Sequence, residues 1–444
     1  MDSAGTLPLI ERWSEEFGAA PHGPDPAWLS KLKSRAAAQF SSAGMPNRKT
    51  EDWKYTPLRM LEQMAPGLLG ADEAGARPFP GPVSPAAAIS VCISDGLLSG
   101  PLPDTLPGLT LLPLSSAMEV FGDALQEVLE STDFTGPGNT FTALNTAFLD
   151  HGLVVHIGEN VQAGSLLVRW AFSGFGTTRM GNFRLIVLLE PGAQVDLVEQ
   201  FESAAPVAGA LNIVTQVKLA EGARLGHVRV QNESDDVVLL TATSVEQQAR
   251  SKYRYSGFDL GGGLVRHCLH AKLAGEEAET GFDGAFVLDR KRHVDNHVSV
   301  DHAAKGCSSS QFFRGVLGGS SRGVFNGRAL IRPGADGSRV RQSNANLLLS
   351  ALAEMDTKPE LEIYADEIEA SHGATVGQLD DAAVFYLRSR GLTEDQARRI
   401  LTTAFCHAVT DRLEDRALAE RISTMVDKAM PGLQELPQEQ VSLR

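Results

Sequence analysis

One small turn repeats through the middle of the chain: Pro191-Gly192-Ala193, Glu221-Gly222-Ala223, Ala274-Gly275-Glu276, Lys305-Gly306-Cys307 and Pro333-Gly334-Ala335. Gly192 and Gly222 are 30 residues apart, Gly275 and Gly306 31, and Gly306 and Gly334 28, while the 53 between Gly222 and Gly275 is close to two such steps. Short β-type runs lie between the turns, among them Leu166–Phe172, Phe183–Leu189, Ile213–Leu219 and Val237–Thr241, and no long helical pattern interrupts them from about Leu153 to Gln378. A strand-and-turn unit of roughly 26 to 31 residues points to a β-solenoid, in which each coil covers the hydrophobic face of its neighbour. A β-sandwich with coincidental spacing is the alternative, because the chain holds 43 glycines.

The flanks read differently. From Leu7 to about Leu69 the apolar positions Trp28, Leu29, Leu32 and Ala36 recur at helical spacing, with Pro26 where a first turn tolerates it. Ala71 to Pro107 is dense in Gly, Pro and Ala and reads as a connector with a single short strand at Ala88–Ile93. A helix is expected over Ala117–Glu130 and a weaker one over Phe141–Phe148, with a boundary near residue 135. After Gln378 the helical period returns. Thr393-Glu394-Asp395-Gln396 can form a capping box ahead of a stripe through Ala397, Ile400, Leu401, Ala404, Phe405, Ala408 and Val409. A second stripe at Leu418, Ile422, Met425 and Val426 completes an antiparallel pair, expected on the end of the β region. The domains are therefore 1–135 (helical, with the connector), 136–378 (β) and 379–444 (helical).

The balance of charges narrows the partners. Lys and Arg total 40 against 55 Asp and Glu, a net charge of −15, which repels phosphate backbones and anionic lipid. No apolar run approaches the roughly 18 residues of a membrane span. The four cysteines, Cys92, Cys268, Cys307 and Cys406, form no CxxC pair, so a disulfide framework or zinc knuckle is not expected and a reducing cytoplasm fits. Nothing near Met1 reads as a secretory signal or an Arg-rich transit peptide.

Candidates for chemistry are few. Five histidines, His267, His270, His293, His297 and His302, cluster beside Cys268 and Cys307, which invites a metal reading. On one strand, however, His293 and His297 stand about 13 Å apart. Their alternation with Val294, Val298 and Val300 is that of a strand with one polar, solvent-facing side. His372 alternates in phase with Ile368, Ala370 and Val376, the pattern of a hydrogen-bonded core histidine, and is flanked by Gly373 and Gly377. The acidic run Glu360, Glu362, Asp366, Glu367 and Glu369 offers carboxylates for acid–base work or a solvated face. The glycine-rich pieces at Gly261–Gly263 and Gly318–Gly323 lack the GxxxxGK[ST] arrangement, and no GxSxG, HExxH or EF-hand loop is present. A β-helix carbohydrate lyase or isomerase using acidic residues is the enzyme alternative.

Three segments carry a resemblance: Asn47-Arg48-Lys49-Thr50-Glu51-Asp52-Trp53-Lys54-Tyr55-Thr56; Phe312-Phe313-Arg314-Gly315-Val316 onward to Phe325-Asn326-Gly327-Arg328; and Asp356 to Ile363 leading into Ser371-His372-Gly373-Ala374-Thr375-Val376-Gly377-Gln378-Leu379-Asp380. With Phe385-Tyr386-Leu387-Arg388-Ser389-Arg390-Gly391 after them, these resemble the SufD iron–sulfur cluster assembly family. The resemblance implies a right-handed parallel β-helix with helical regions at both ends. It also implies a scaffold that pairs with a SufB-like paralogue through the β-helices, while the C-terminal helical region, 393–430, binds a SufC-type ATPase. A cysteine desulfurase and sulfur carrier would act indirectly.

On this resemblance His372 faces a cysteine of the partner and is the candidate ligand for a transient iron–sulfur cluster shared with it, with none held tightly by this chain alone. Phe385, Arg388, Arg390, Ile400 and Phe405 are the candidate ATPase-docking residues. Many relatives carry cysteine just before the SHGAT serine; this chain has Ala370, so no thiol stands there. A homodimeric carrier using His372 with Cys307 or Cys268 is a further alternative.

Overall fold

The structure is a computed structural model that describes residues 8–19, 25–69, 89–94, 97–100, 102–103, 107–133, 135, 137–172, 178–203 and 207–431. Most of the expected connector, 70–88, lies outside these residues, as do the first residue of the expected lead-in, Leu7, and residue 134 at the expected domain boundary.

The N-terminal part comprises α1 (Leu9–Ala19), α2 (Ala27–Ala43), α3 (Arg59–Met64), β1 (Gly67–Leu68), β2 (Ile89–Ser94), β3 (Leu97–Leu98), β4 (Leu109–Pro113), α4 (Leu114–Val120), α5 (Gly122–Glu130) and α6 (Thr140–Ala147). The single helix expected over 117–130 is thus two, broken at Phe121. Then come β5 (Gly152–Ile157), β6 (Gln162–Phe172), β7 (Arg179–Leu189), β8 (Gln194–Ser203), β9 (Gly209–Leu219), β10 (Arg224–Asn232), β11 (Val237–Gln247) and β12 (Lys252–Asp259). They continue as β13 (Leu264–Leu273), β14 (Glu279–Leu288), β15 (His293–His302), β16 (Ser308–Leu317), β17 (Arg322–Ile331), β18 (Arg339–Leu348), β19 (Glu354–Ile363) and β20 (Glu369–Gly377). The chain closes with α7 (Asp381–Ser389), α8 (Glu394–Thr410) and α9 (Arg416–Ala429).

From β5 onward the odd strands form one parallel sheet and the even strands another, each strand pairing with the one two places on. This is a β-solenoid of about seven turns. Inward side chains such as Phe201, Leu239, Phe282, Val298 and Phe325 fill the space between the sheets.

The repeat is set by its corners. Asn160, Gly192, Gly222, Arg250, Glu277, Gly306 and Gly337 all have φ between 57° and 74°. From Gly192 to Gly306 each donates its N–H, at 2.9 Å, to the carbonyl just before the next corner residue. Arg250 supplies the coil missing from the 53-residue gap, unrecognised because glycine usually takes this conformation. Gly275 serves another purpose: a Cβ there would lie 2.0 Å from the Ala249 nitrogen. Gly334 is left-handed as well, but the ladder position beside it is Gly337.

Each sheet carries one helical region on its outer side. Leu29, Phe40, Leu125 and Leu144 of the N-terminal region pack on outward Ile186, Val238 and Leu240 of the odd-strand sheet. The C-terminal pair forms as expected, with the Thr393–Gln396 capping box present. Its position differs: Cys406, Val409, Ile422 and Val426 pack on Phe258, Ala285, Val287 and Val316, the outward apolar side of the even-strand sheet, not the solenoid's end. A helical stripe specifies that an apolar surface is covered, and the flank offers a longer one than the end. No helix among the described residues is long and apolar enough to cross a membrane.

Candidate assembly face at the open end

Among the described residues the last coil has no successor: β19 is bonded only to β17 and β20 only to β18, so both outer edges present unpaired backbone donors and acceptors. His372 lies on β20 opposite Gln342 of β18, over the face of that strand on which Val340, Gln342, Asn344 and Asn346 are buried. The phase read from sequence is correct: Ile368 and Ala370 pack on Ile331 and Val340. The core assignment is not, since His372 is exposed and Val376 is 44% exposed. Alternation gives a side chain's direction but does not say whether another coil lies above it.

The coil beneath is unusually polar. Asn346 donates to Asn344 Oδ1 at 2.6 Å, and Thr357 donates to the same oxygen at 2.9 Å. Gln342 Oε1 and Nε2, Asn344 Nδ2 and Asn346 Oδ1 are buried with no hydrogen-bond partner among the described residues. Unpaired buried amides are costly, roughly 1–3 kcal/mol each, so this floor suits groups supplied from outside the chain.

The histidine cluster is divided by the sheet. His267 and His302 point into the solenoid; His270, His293 and His297 point outward. His267 donates from Nε2 to Asp259 at 2.9 Å, while Nδ1 accepts from the Arg229 guanidinium at 2.6 Å. Burial first, then Arg229, lowers its pKa to about 4, so it is neutral near pH 7. His302 is bonded to Ser309 at 2.8 Å. Among the described residues no group of three or more His, Cys, Asp or Glu can hold a metal ion. Cys307 is buried just before β16, two coils behind β20, and Cys268 faces outward on the other sheet; neither approaches His372.

The polar side of β15 is not left to solvent as expected. Thr56 of the EDWKYT segment bonds Asp295, Trp53 covers Arg266, and Lys358 reaches Glu51 at 3.2 Å. The motif itself was the available signal for this strap, but its target on the solenoid was not readable. The acidic run behaves as a surface: Glu360 pairs with Lys358 at 2.7 Å, and Glu362 with Arg328 at 2.7 Å.

The C-terminal helices offer apolar side chains to solvent. Phe385 (72% exposed) and Tyr386 (56%) stand on α7, and Ile400 (46%) on α8. Arg390 lies over the Tyr386 ring at 5.2 Å, and Arg388 faces Glu394 at 3.5 Å. Phe405 is half-buried, facing Arg314 of β16.

A two-sheet solenoid flanked by helices and ending on an exposed histidine strand defines a class of protein. The chain belongs to the SufBD family: residues 174–405 match the model described as SUF system FeS cluster assembly, SufBD core domain. It is a SufD-type protein of the SUF iron–sulfur cluster assembly system. It is 28% identical to the iron-sulfur cluster assembly protein SufD of Escherichia coli, covering 95% of this chain and 97% of the relative. A SufBD family protein of Synechocystis is 28% identical over 91% and 92%. The SufD of Bacillus subtilis is 25% identical over 91% and 94%.

Proposed function

We propose that this chain is a non-catalytic, cytoplasmic scaffold subunit that pairs with a SufB-like paralogue through the open end of its solenoid. The observation that carries this reading is His372, exposed on the edge strand β20 above a floor of amides without partners among the described residues. A partner β-helix adding strands there would satisfy both edges and bring its own side chains against the imidazole. Imidazole is a borderline ligand suited to iron, and a cluster divided between two chains needs no complete ligand set in either. The cluster is therefore cargo, transient and shared. Phe385 and Ile400, with Arg388 and Arg390 beside them, form the docking face for a SufC-type ATPase; Phe405 supports it from beneath. A cysteine desulfurase and its sulfur carrier supply sulfur to the complex.

The test is native co-purification of the tagged chain expressed with both partners, with iron and acid-labile sulfide assayed. A three-component complex that forms equally with His372→Ala but loses iron and sulfide supports the reading. A chain that captures neither partner overturns it.

A further inference from the structure

A second constellation lies away from the open end, on the outer side of the odd-strand sheet. A cavity of about 200 Å³ opens there, with Cys268, Arg266 and His297 on its walls and Asp52 and Gly138 of the N-terminal region across from them. Cys268 and His297 are register partners on neighbouring parallel strands, which lie about 4.8 Å apart. His297 Nε2 is held by Asp295 at 3.0 Å, which leaves Nδ1 for a neighbour. Asp295 is itself fixed by Arg266 and Thr56. A thiol beside an imidazole, with a buried carboxylate orienting the ring, is the arrangement that activates a sulfur nucleophile. Burial pushes the Cys268 thiol up, so its resting form is neutral and a base is needed to take the proton.

We infer that Cys268 is a thiol–disulfide exchange site, with His297 as its proton acceptor, that takes a mixed disulfide from a small soluble disulfide entering this cavity. The Cys268 sulfur attacks one sulfur of R–S–S–R as its proton passes to His297. The Cys268–S–S–R bond forms, the original S–S bond breaks and R–S⁻ leaves; the disulfide is the oxidant. Cys92 is the internal reference. It is also half-buried beside an arginine, Arg169, but among the described residues no histidine lines its cavity.

The experiment treats the full chain with glutathione disulfide and follows each cysteine by peptide-mapping mass spectrometry from pH 6 to 9. Cys268 is expected to react at least tenfold faster than Cys92. His297→Gln should slow Cys268 about tenfold and leave Cys92 unchanged. Equal Cys268 rates in the variant and wild type overturn the inference. So does a Cys268 that stays silent while Cys92 reacts. Should the variant unfold, the wild-type protein decides: a Cys268 that reacts no faster than Cys92 is equally fatal.

Discussion

The Arg266 guanidinium sits 4.0 Å from the centre of the Trp53 ring while it pairs with Asp295 on the next strand. Side-chain exposures of 2% and 0% make this a fully desolvated pair, with an aromatic lid contributed from more than 200 residues earlier in the chain. Arg266 and the neighbouring histidine hold the Asp295 carboxyl far below its usual range against the opposing effect of burial. Removing one partner strands the other. Asp295→Ala should cost about 3–5 kcal/mol, read from urea unfolding. Trp53→Ala should lose a similar amount through packing and the cation–π contact. A loss below about 1 kcal/mol for Asp295→Ala would show that the pair is dispensable.

Three histidines should make the fold acid-sensitive. His267, His293 and His302 each have a pKa lowered from 6.5 to about 4, chiefly by burial. The unfolded chain therefore binds more protons than the native one between these values, so stability is lost as pH falls from 6.5 to 4 and is fully present above. Each contributes up to about 3 kcal/mol. Glu233 acts in the opposite sense, since burial raises its pKa from 4.5 to about 7 and its contribution is lost as pH rises through 7. Three groups outweigh one, and urea midpoints at pH 7, 6, 5 and 4 should fall steadily. A flat profile would contradict the assignment of all three as neutral.

The corner ladder gives a paired backbone test. A Cβ on Gly222 meets nothing within 4 Å, yet its φ is 68°. Gly222→Ala should therefore cost about 1–2 kcal/mol through backbone strain alone. Arg250 holds the equivalent corner with φ 57°, and its pairing with Glu221 is exposed. Arg250→Gly should be neutral or stabilise by up to about 1 kcal/mol, measured by thermal unfolding. If both substitutions destabilise equally, the two corners are not equivalent.

Two exposed sites should separate stability from assembly. His372→Ala, on an uncovered strand, should leave the unfolding midpoint within about 0.5 kcal/mol of wild type. Phe385→Ala with Ile400→Ala should do the same and yet weaken capture of the ATPase at least tenfold in a pull-down. Loss of fold in either variant would return these residues to a structural role.

The solenoid was legible because glycine corners and alternating runs are written directly in the chain. The corners at Arg250 and Glu277 were hidden, since an ordinary side chain in a left-handed conformation leaves no compositional mark. The inward and outward phases of β15 were readable, but the cover that Thr56 and Trp53 place over its polar side depends on a contact between residues far apart in sequence. His372 shows the same limit: its phase came from local alternation, whereas its exposure follows from the coil count. The C-terminal helices announced an apolar partner without specifying flank or end.

That flank position has a mechanical consequence. In a stacked array each coil is stabilised only by its neighbours, and the terminal one frays first. The pair α8–α9 lies chiefly against β14 and β16 like a splint, with Leu347 of β18 at its margin. Opening that begins at the free end is arrested where the splint begins. Amide hydrogen exchange should therefore run as a gradient, fastest on the strand that carries His372 and slow from β16 inward.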